Sequence, residues 1–173
     1  AHVSNTAPVA IPALGAATPY PAIINVSGLE GVVAATSVTL SNLYHGSPAD
    51  LDMLLVGPTG ARSLILSDVG GTVAITNVTL KLADAATNSL SLSGPLISGE
   101  YKPRNNLLGD AFPAPAPVGP YTNDSLAVFN GTNPNGTWSL YVVDDLNLLS
   151  GGLGNGWALD FQVAGVIPAS TDL

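Results

Sequence analysis

Strict alternation of apolar and polar residues constrains this chain more than any other feature. In Ser37-Val38-Thr39-Leu40-Ser41 the apolar pair falls on one face and the hydroxyls on the other, which is the pattern of a strand with one side in a core. The same period of two recurs over residues 77–82, 137–142 and 157–163. A helix would scatter those apolar residues around its circumference. No ten-residue stretch carries the helical period, and only residues 84–88 offer as much as one helical turn. Residues 50–56, 62–66 and 126–129 are richer in apolar side chains, and they predict strands covered on both faces.

Glycine and proline supply the punctuation: 19 Gly and 14 Pro in 173 residues. Gly57-Pro58-Thr59-Gly60, Gly70-Gly71, Asn130-Gly131, Asn133-Pro134-Asn135-Gly136 and Gly151-Gly152 fall between the alternating segments, where turns need their backbone freedom. About eight or nine short strands separated by such turns predict an all-β antiparallel sandwich, with a jelly roll as the expected topology. Residues 95–121 contain Phe112-Pro113-Ala114-Pro115-Ala116-Pro117. Proline lacks the donor a sheet requires, so this segment is expected to be a long loop, partly in polyproline conformation. Residues 1–18 and 165–173 are small, proline-dotted and unpatterned, and they read as linkers flanking one domain over 19–164.

Composition narrows the function classes. Charged residues are 9% of the chain, against about a quarter in most globular domains, which excludes coiled coils and charge-rich tails. Four basic residues and a net charge of −8 leave too few cations for a phosphate backbone, so nucleic acid is excluded as a partner. The acidic excess suits hard divalent cations instead. No apolar stretch is long enough to insert across a membrane, and no cysteine is present to fix the redox compartment.

The run His45-Gly46-Ser47-Pro48-Ala49-Asp50-Leu51-Asp52, continued by Val56-Gly57-Pro58-Thr59-Gly60, resembles the signature of the P domain, or homo B domain. That domain follows the catalytic domain of proprotein convertases and of many bacterial subtilisin-like proteases. Phe129-Asn130-Gly131, Gly136-Thr137-Trp138, Val143-Asp144, Gly151-Gly152-Leu153 and Trp157-Ala158-Leu159 resemble its second half, in the same order. The likeness spans residues 20–163. It departs from the family at Leu149-Ser150, where many members have an acid before the Gly-x-Leu turn. The resemblance implies a galactose-binding-domain-like jelly roll without catalytic activity. Its implied place is a secreted or cell-surface protein, in which it stabilises or regulates a subtilisin-like serine protease. The implied partner is that protease or another extracellular domain of the same bacterial polypeptide, with the module itself monomeric. A free-standing adhesive, carbohydrate-binding or protein-binding module of a bacterial surface protein is the alternative.

The residues agree with a non-catalytic role. His2 lies in a predicted tail, which leaves His45 as the sole candidate base, and no G-x-S-x-G elbow accompanies it. A histidine hydrogen-bonded to the following turn is the competing reading of His45. The candidate metal ligands are Asp50 and Asp52, two apart and expected on one strand face, with Asp144 and Asp145. Asp144 follows Trp138, Leu140 and Val142 in phase, so its carboxylate is expected to point inward. Calcium takes six to eight oxygens, and these four aspartates would meet it at one end of a sandwich. Alternatively, Asp50 and Asp144 accept backbone N–H bonds at turns while Asp52 and Asp145 are solvated. Asp68 and Asp84 are further candidates, with turn capping the favoured reading of each. Trp138 and Trp157 open inward-facing sets and are expected in the core, leaving Tyr101, Tyr121 and Tyr141 as surface candidates for sugar stacking.

Overall fold

The computed structural model describes residues 1–146 and 148–165. Its strands are β1 (His2–Asn5), β2 (Val9–Ile11), β3 (Gly15–Ala16), β4 (Ala22–Val26), β5 (Val32–His45), β6 (Leu51–Val56) and β7 (Arg62–Ser67). They continue with β8 (Ile75–Ala83), β9 (Gly99–Tyr101), β10 (Arg104–Asn105), β11 (Gly136–Asp144), β12 (Gly151–Leu153) and β13 (Trp157–Ala164). Each alternating segment is a strand, as its period requires.

Two sheets pack face to face. In the first, β5 pairs along one edge with β13 and then β12, which carry β1 and β2 respectively, and along the other edge with β8, which carries β9. In the second, β6 lies between β7 and β11; β10 extends it beyond β7, and β4 and β3 share the far edge of β11. Pairing is antiparallel except for β8 with β9 and β7 with β10. The inward faces interlock around Trp138, Trp157, Phe129, Leu40 and Met53, all fully buried. Phe129 and Phe161 meet Trp138 edge-on or tilted, at centroid distances of 4.9 and 5.1 Å.

The outward face of the second sheet is also covered, which explains why β6 and β7 are apolar on both sides. Phe112 and Ala116 pack over Leu54, Leu64, Tyr141 and Val143. Tyr20 and Tyr141 donate their hydroxyls to the carbonyls of Pro113 and Pro115, so a proline-rich strap is seated on tyrosines. It turns at Pro113–Ala116, where Ala116 N–H donates to Pro113 O, instead of running on as a polyproline helix.

Several expectations need correction. Residues 1–18 are not a linker: they hold β1, β2 and β3. These strands are two to four residues long, too short to show a period, although Val9 and Ile11 of β2 reach the core. His2 lies in β1, with Nδ1 2.8 Å from Asp160 Oδ1. Residues 126–129 form a 3-10 turn, Leu126–Phe129, rather than a strand; an apolar run of four carries no period to separate the two. The Asp84 carboxylate caps that turn by accepting from Leu126 N–H, Ala127 N–H and the Ser125 hydroxyl. Residues 84–88 contain no helix. Residues 95–121 contribute β9 and β10, both parallel edge strands. The expected linker over 165–173 lies outside the described residues from 166 onward.

Candidate metal centre

The strand registers bring one set of aspartates to a single end of the sandwich. There β6 begins, β5, β7 and β11 end, and Asp144 pairs with Leu51 while Asp52 pairs with Ser67. The alternation of β6 sends Leu51, Met53 and Leu55 into the main core and Leu54 toward the strap, so Asp52 shares the outward face with Leu54. Only 2% of Asp52 is exposed. Asp68 follows β7 directly and holds a left-handed backbone, φ 53°, a conformation that aspartate tolerates better than most residues. Asp110 comes from the segment that leads into the strap. One carboxylate oxygen from each of Asp52, Asp68 and Asp110 lies within 4.8 Å of the other two.

Little neutralises these charges. Ser67 Oγ donates to Asp68 Oδ2 at 3.1 Å, and a hydroxyl has one proton to give. Asp110 Oδ2 is buried without any hydrogen-bond partner. Burial pushes the Asp52 carboxyl up to about 8, reinforced by the charges of Asp110, Asp145 and Asp68 and opposed only by Ser67. Asp110 is raised by burial and then by Asp68. Asp145, also raised, feels burial first and then Asp68, Asp50, Asp144 and Asp110. Every formal charge acting on these three groups is another aspartate.

A second group faces the interior. His45 ends β5 in the first sheet and Asp144 ends β11 in the second, and their side chains meet between the sheets with none of either exposed. His45 Nε2 stands 2.9 Å from Asp144 Oδ2. The oxygen lies off the N–H axis, since neither atom meets hydrogen-bond geometry, so the contact is electrostatic rather than a linear bond. His45 Nδ1 is 3.1 Å from Ser47 N and 2.9 Å from Ser47 O. Neutral imidazole accepts from that N–H; imidazolium donates to that carbonyl. Asp144 Oδ1 accepts from Leu146 N–H at 3.0 Å. The Asp144 carboxyl is raised by burial, with Leu146 and His45 opposing. Asp50 closes a 3-10 turn, Pro48–Asp50, and its Oδ2 is buried and unpartnered.

The four aspartates expected at one site therefore divide. Asp50 precedes β6 rather than sharing its strand, Asp144 points inward, and Asp52 points outward. Asp145 is exposed next to both groups, its N–H bonded to Asp50 O. Asp144 accepts a turn N–H, as one reading of it required. Asp52 is buried, not solvated. The sequence offers Asp68 as a candidate second to its reading as a turn cap and gives no pointer to Asp110, which follows Gly109 at φ 113°.

The donor set suits a hard cation. Three carboxylate oxygens, with no sulfur or imidazole, favour calcium or magnesium over softer metals. All three oxygens lie close enough together to reach one such ion at Ca–O distances of about 2.4 Å. Asp52, Asp68 and Asp110 would hold the ion, with Asp145 beside them. His45, the candidate base, is sealed from solvent, and Ser47 meets it through backbone atoms.

The five rings weighed for sugar stacking are all at least half-buried, while Tyr44, outside that set, is 41% exposed. Trp138 and Trp157 are buried as expected, and Tyr141 is only 7% exposed. The Tyr101 and Tyr121 hydroxyls donate to the Ile97 and Pro117 carbonyls, and both side chains are half-buried. A groove of about 620 Å³ lies over Thr36, Ser37, Lys81, Asp160 and Gln162, and its one ring is the buried Phe161. The chain matches no family model, no curated protein and no solved structure.

Proposed function

We propose that this chain is a non-catalytic, calcium-stabilised accessory domain of a larger secreted or cell-surface protein, a P-domain-like jelly roll whose task is to stabilise or regulate a subtilisin-like serine protease in the same polypeptide. The observation that carries the calcium part is Asp52: a carboxylate 2% exposed, facing Asp68 and Asp110 without a compensating cation. Buried charge needs a partner, and a divalent ion supplies one to all three acids at once. The sealed His45–Asp144 pair, which ties the two sheets together, supports a structural rather than hydrolytic role. The protease partnership rests on the sequence resemblance.

Calorimetry in EDTA and in millimolar calcium, with magnesium as control, tests the calcium reading. At a calcium concentration 100 times Kd the native state gains about 2.7 kcal/mol, and Tm rises by several degrees. An unchanged melt after full chelation refutes it. Fusing the chain behind a subtilisin-like catalytic domain tests the accessory role, which predicts a longer half-life at elevated temperature in calcium and no casein hydrolysis by the chain alone.

A further inference from the structure

The groove of about 620 Å³ plays no part in the calcium reading. It lies on the first sheet, toward the end of β5 away from His45. The registers set Asp160 beside Ser37, Ser37 beside Ala83, and Lys81 beside Glu100, so the groove crosses β13, β5, β8 and β9 in turn. The spacings between those four strands make the crossing about 14 Å. Val38, Leu82 and Leu159 belong to the core, which turns Ser37, Ala83 and Asp160 outward. Ser37 and Ala83 are nevertheless only 8% exposed each: their short side chains form a low floor, with Lys81, Glu100 and Gln162 lining the groove around it. A second hollow of about 380 Å³ shares Ala85 and Glu100 with the groove and carries it on over Thr87 and Asn88.

We propose that this groove binds a neutral oligosaccharide laid across the strands. The side-chain charges that line it are already engaged. Lys81 Nζ stands 3.5 Å from Glu100 Oε1, Asp160 Oδ1 is 2.8 Å from His2 Nδ1, and Asp84 caps the Leu126–Phe129 turn. An ionic ligand would have to break one of these contacts. The neutral groups are not engaged: among the described residues, the Ser37 hydroxyl and the Asn130 and Gln162 amides make no side-chain hydrogen bond, and all three both donate and accept. The methyl groups of Ala35, Ala83, Ala85 and Ala127 line the groove with them. A sugar presents the same mixture, hydroxyls that donate and accept set among C–H groups. An extended peptide fits less well, since it binds a sheet by pairing with a free edge, and this groove offers side chains on a sheet face. Among the described residues no exposed ring lines the groove, so binding rests on hydrogen bonds and is weak, with Kd on the order of 1 mM.

Amide chemical shifts of the isotope-labelled chain test this, with neutral hexasaccharides of glucose, galactose, mannose, xylose and N-acetylglucosamine as probes. At least one is expected to shift the amides of Ser37, Ala83, Ala85 and Gln162, equally in calcium and in EDTA. It is expected to bind roughly tenfold more tightly than its disaccharide, because only the longer chain spans the groove. Ala35→Leu with Ala85→Leu fills the groove from two exposed positions, and is expected to weaken binding by at least roughly tenfold with Tm unchanged. Asn130→Ala with Gln162→Ala removes the two unengaged amides and is expected to weaken it by roughly tenfold. Absence of binding by every hexasaccharide overturns the proposal and leaves the calcium reading standing. Binding that survives the double leucine variant, or that shifts amides elsewhere, places the sugar outside the groove and also overturns it. Tighter binding of a sulfated or uronic-acid oligosaccharide, or of a peptide, would assign a different ligand and do the same.

Discussion

Replacing Asp52 with Asn removes the charge at the most confined point of the carboxylate centre while keeping the shape of the side chain. Asp52 is raised from 3.8 to about 8 in the folded chain. Between those values the folded state holds a proton that the unfolded state releases, so in EDTA its stabilising contribution is complete below pH 3.8 and is lost as pH rises toward 8. Each pH unit in that window costs about 1.4 kcal/mol, which makes the deficit at pH 7 about 4 kcal/mol. Asn never ionises, and its amide donates to the neighbouring carboxylates. In EDTA at pH 7, Asp52→Asn is therefore expected to melt above the parent chain by about 12 °C at most, on about 3 °C per kcal/mol for this size. Its Tm should also fall less steeply between pH 5 and 8. Some slope remains, because Asp110, Asp144 and Asp145 are raised as well and act in the same direction. In calcium the order reverses, since the variant loses a ligand. Calorimetry across pH, with and without the ion, measures both. A variant that melts at or below the parent in EDTA would refute the view that Asp52 is an uncompensated buried acid.

Three further outcomes are expected. Because Asp110 leads into the strap, Asp110→Asn in calcium, or the parent chain in EDTA, should be cut faster by protease between residues 106 and 111, followed by mass spectrometry of the fragments. His45→Ala leaves the enclosed Asp144 without its facing group, and urea unfolding should show a loss of about 3–5 kcal/mol. Because His45 lowers the Asp144 carboxyl, removing it raises that group further, and the loss should grow with rising pH.

The strands were legible wherever a face is half-buried. Residues 37–41, 77–82, 137–142 and 157–163 all lie within strands, and Trp138 and Trp157 are core residues as their phase requires. Short elements were not legible. β2 has Val9 and Ile11 buried around an exposed Ala10, and three residues are too few to separate a strand from a linker. The parallel edge strands β9 and β10 arise in a proline-dotted segment because neighbouring strands leave backbone groups free to pair.

The site divides along the same line. That Asp144 points inward followed from its phase with Trp138, Leu140 and Val142. That Asp52 is buried followed from nothing local: on a bare sheet it would face water, and it is enclosed because the strap covers that face of β6. Asp68 and Asp110 are 42 residues apart in the sequence, and no spacing rule connects them. By itself the sequence determined the all-β class, the phase of each long strand and the scarcity of countercharge, because these depend on side-chain period and composition. Which acids meet, and which of them lose water, was decided only by the packing of distant segments, since burial and charge proximity are properties of the folded space and not of the chain.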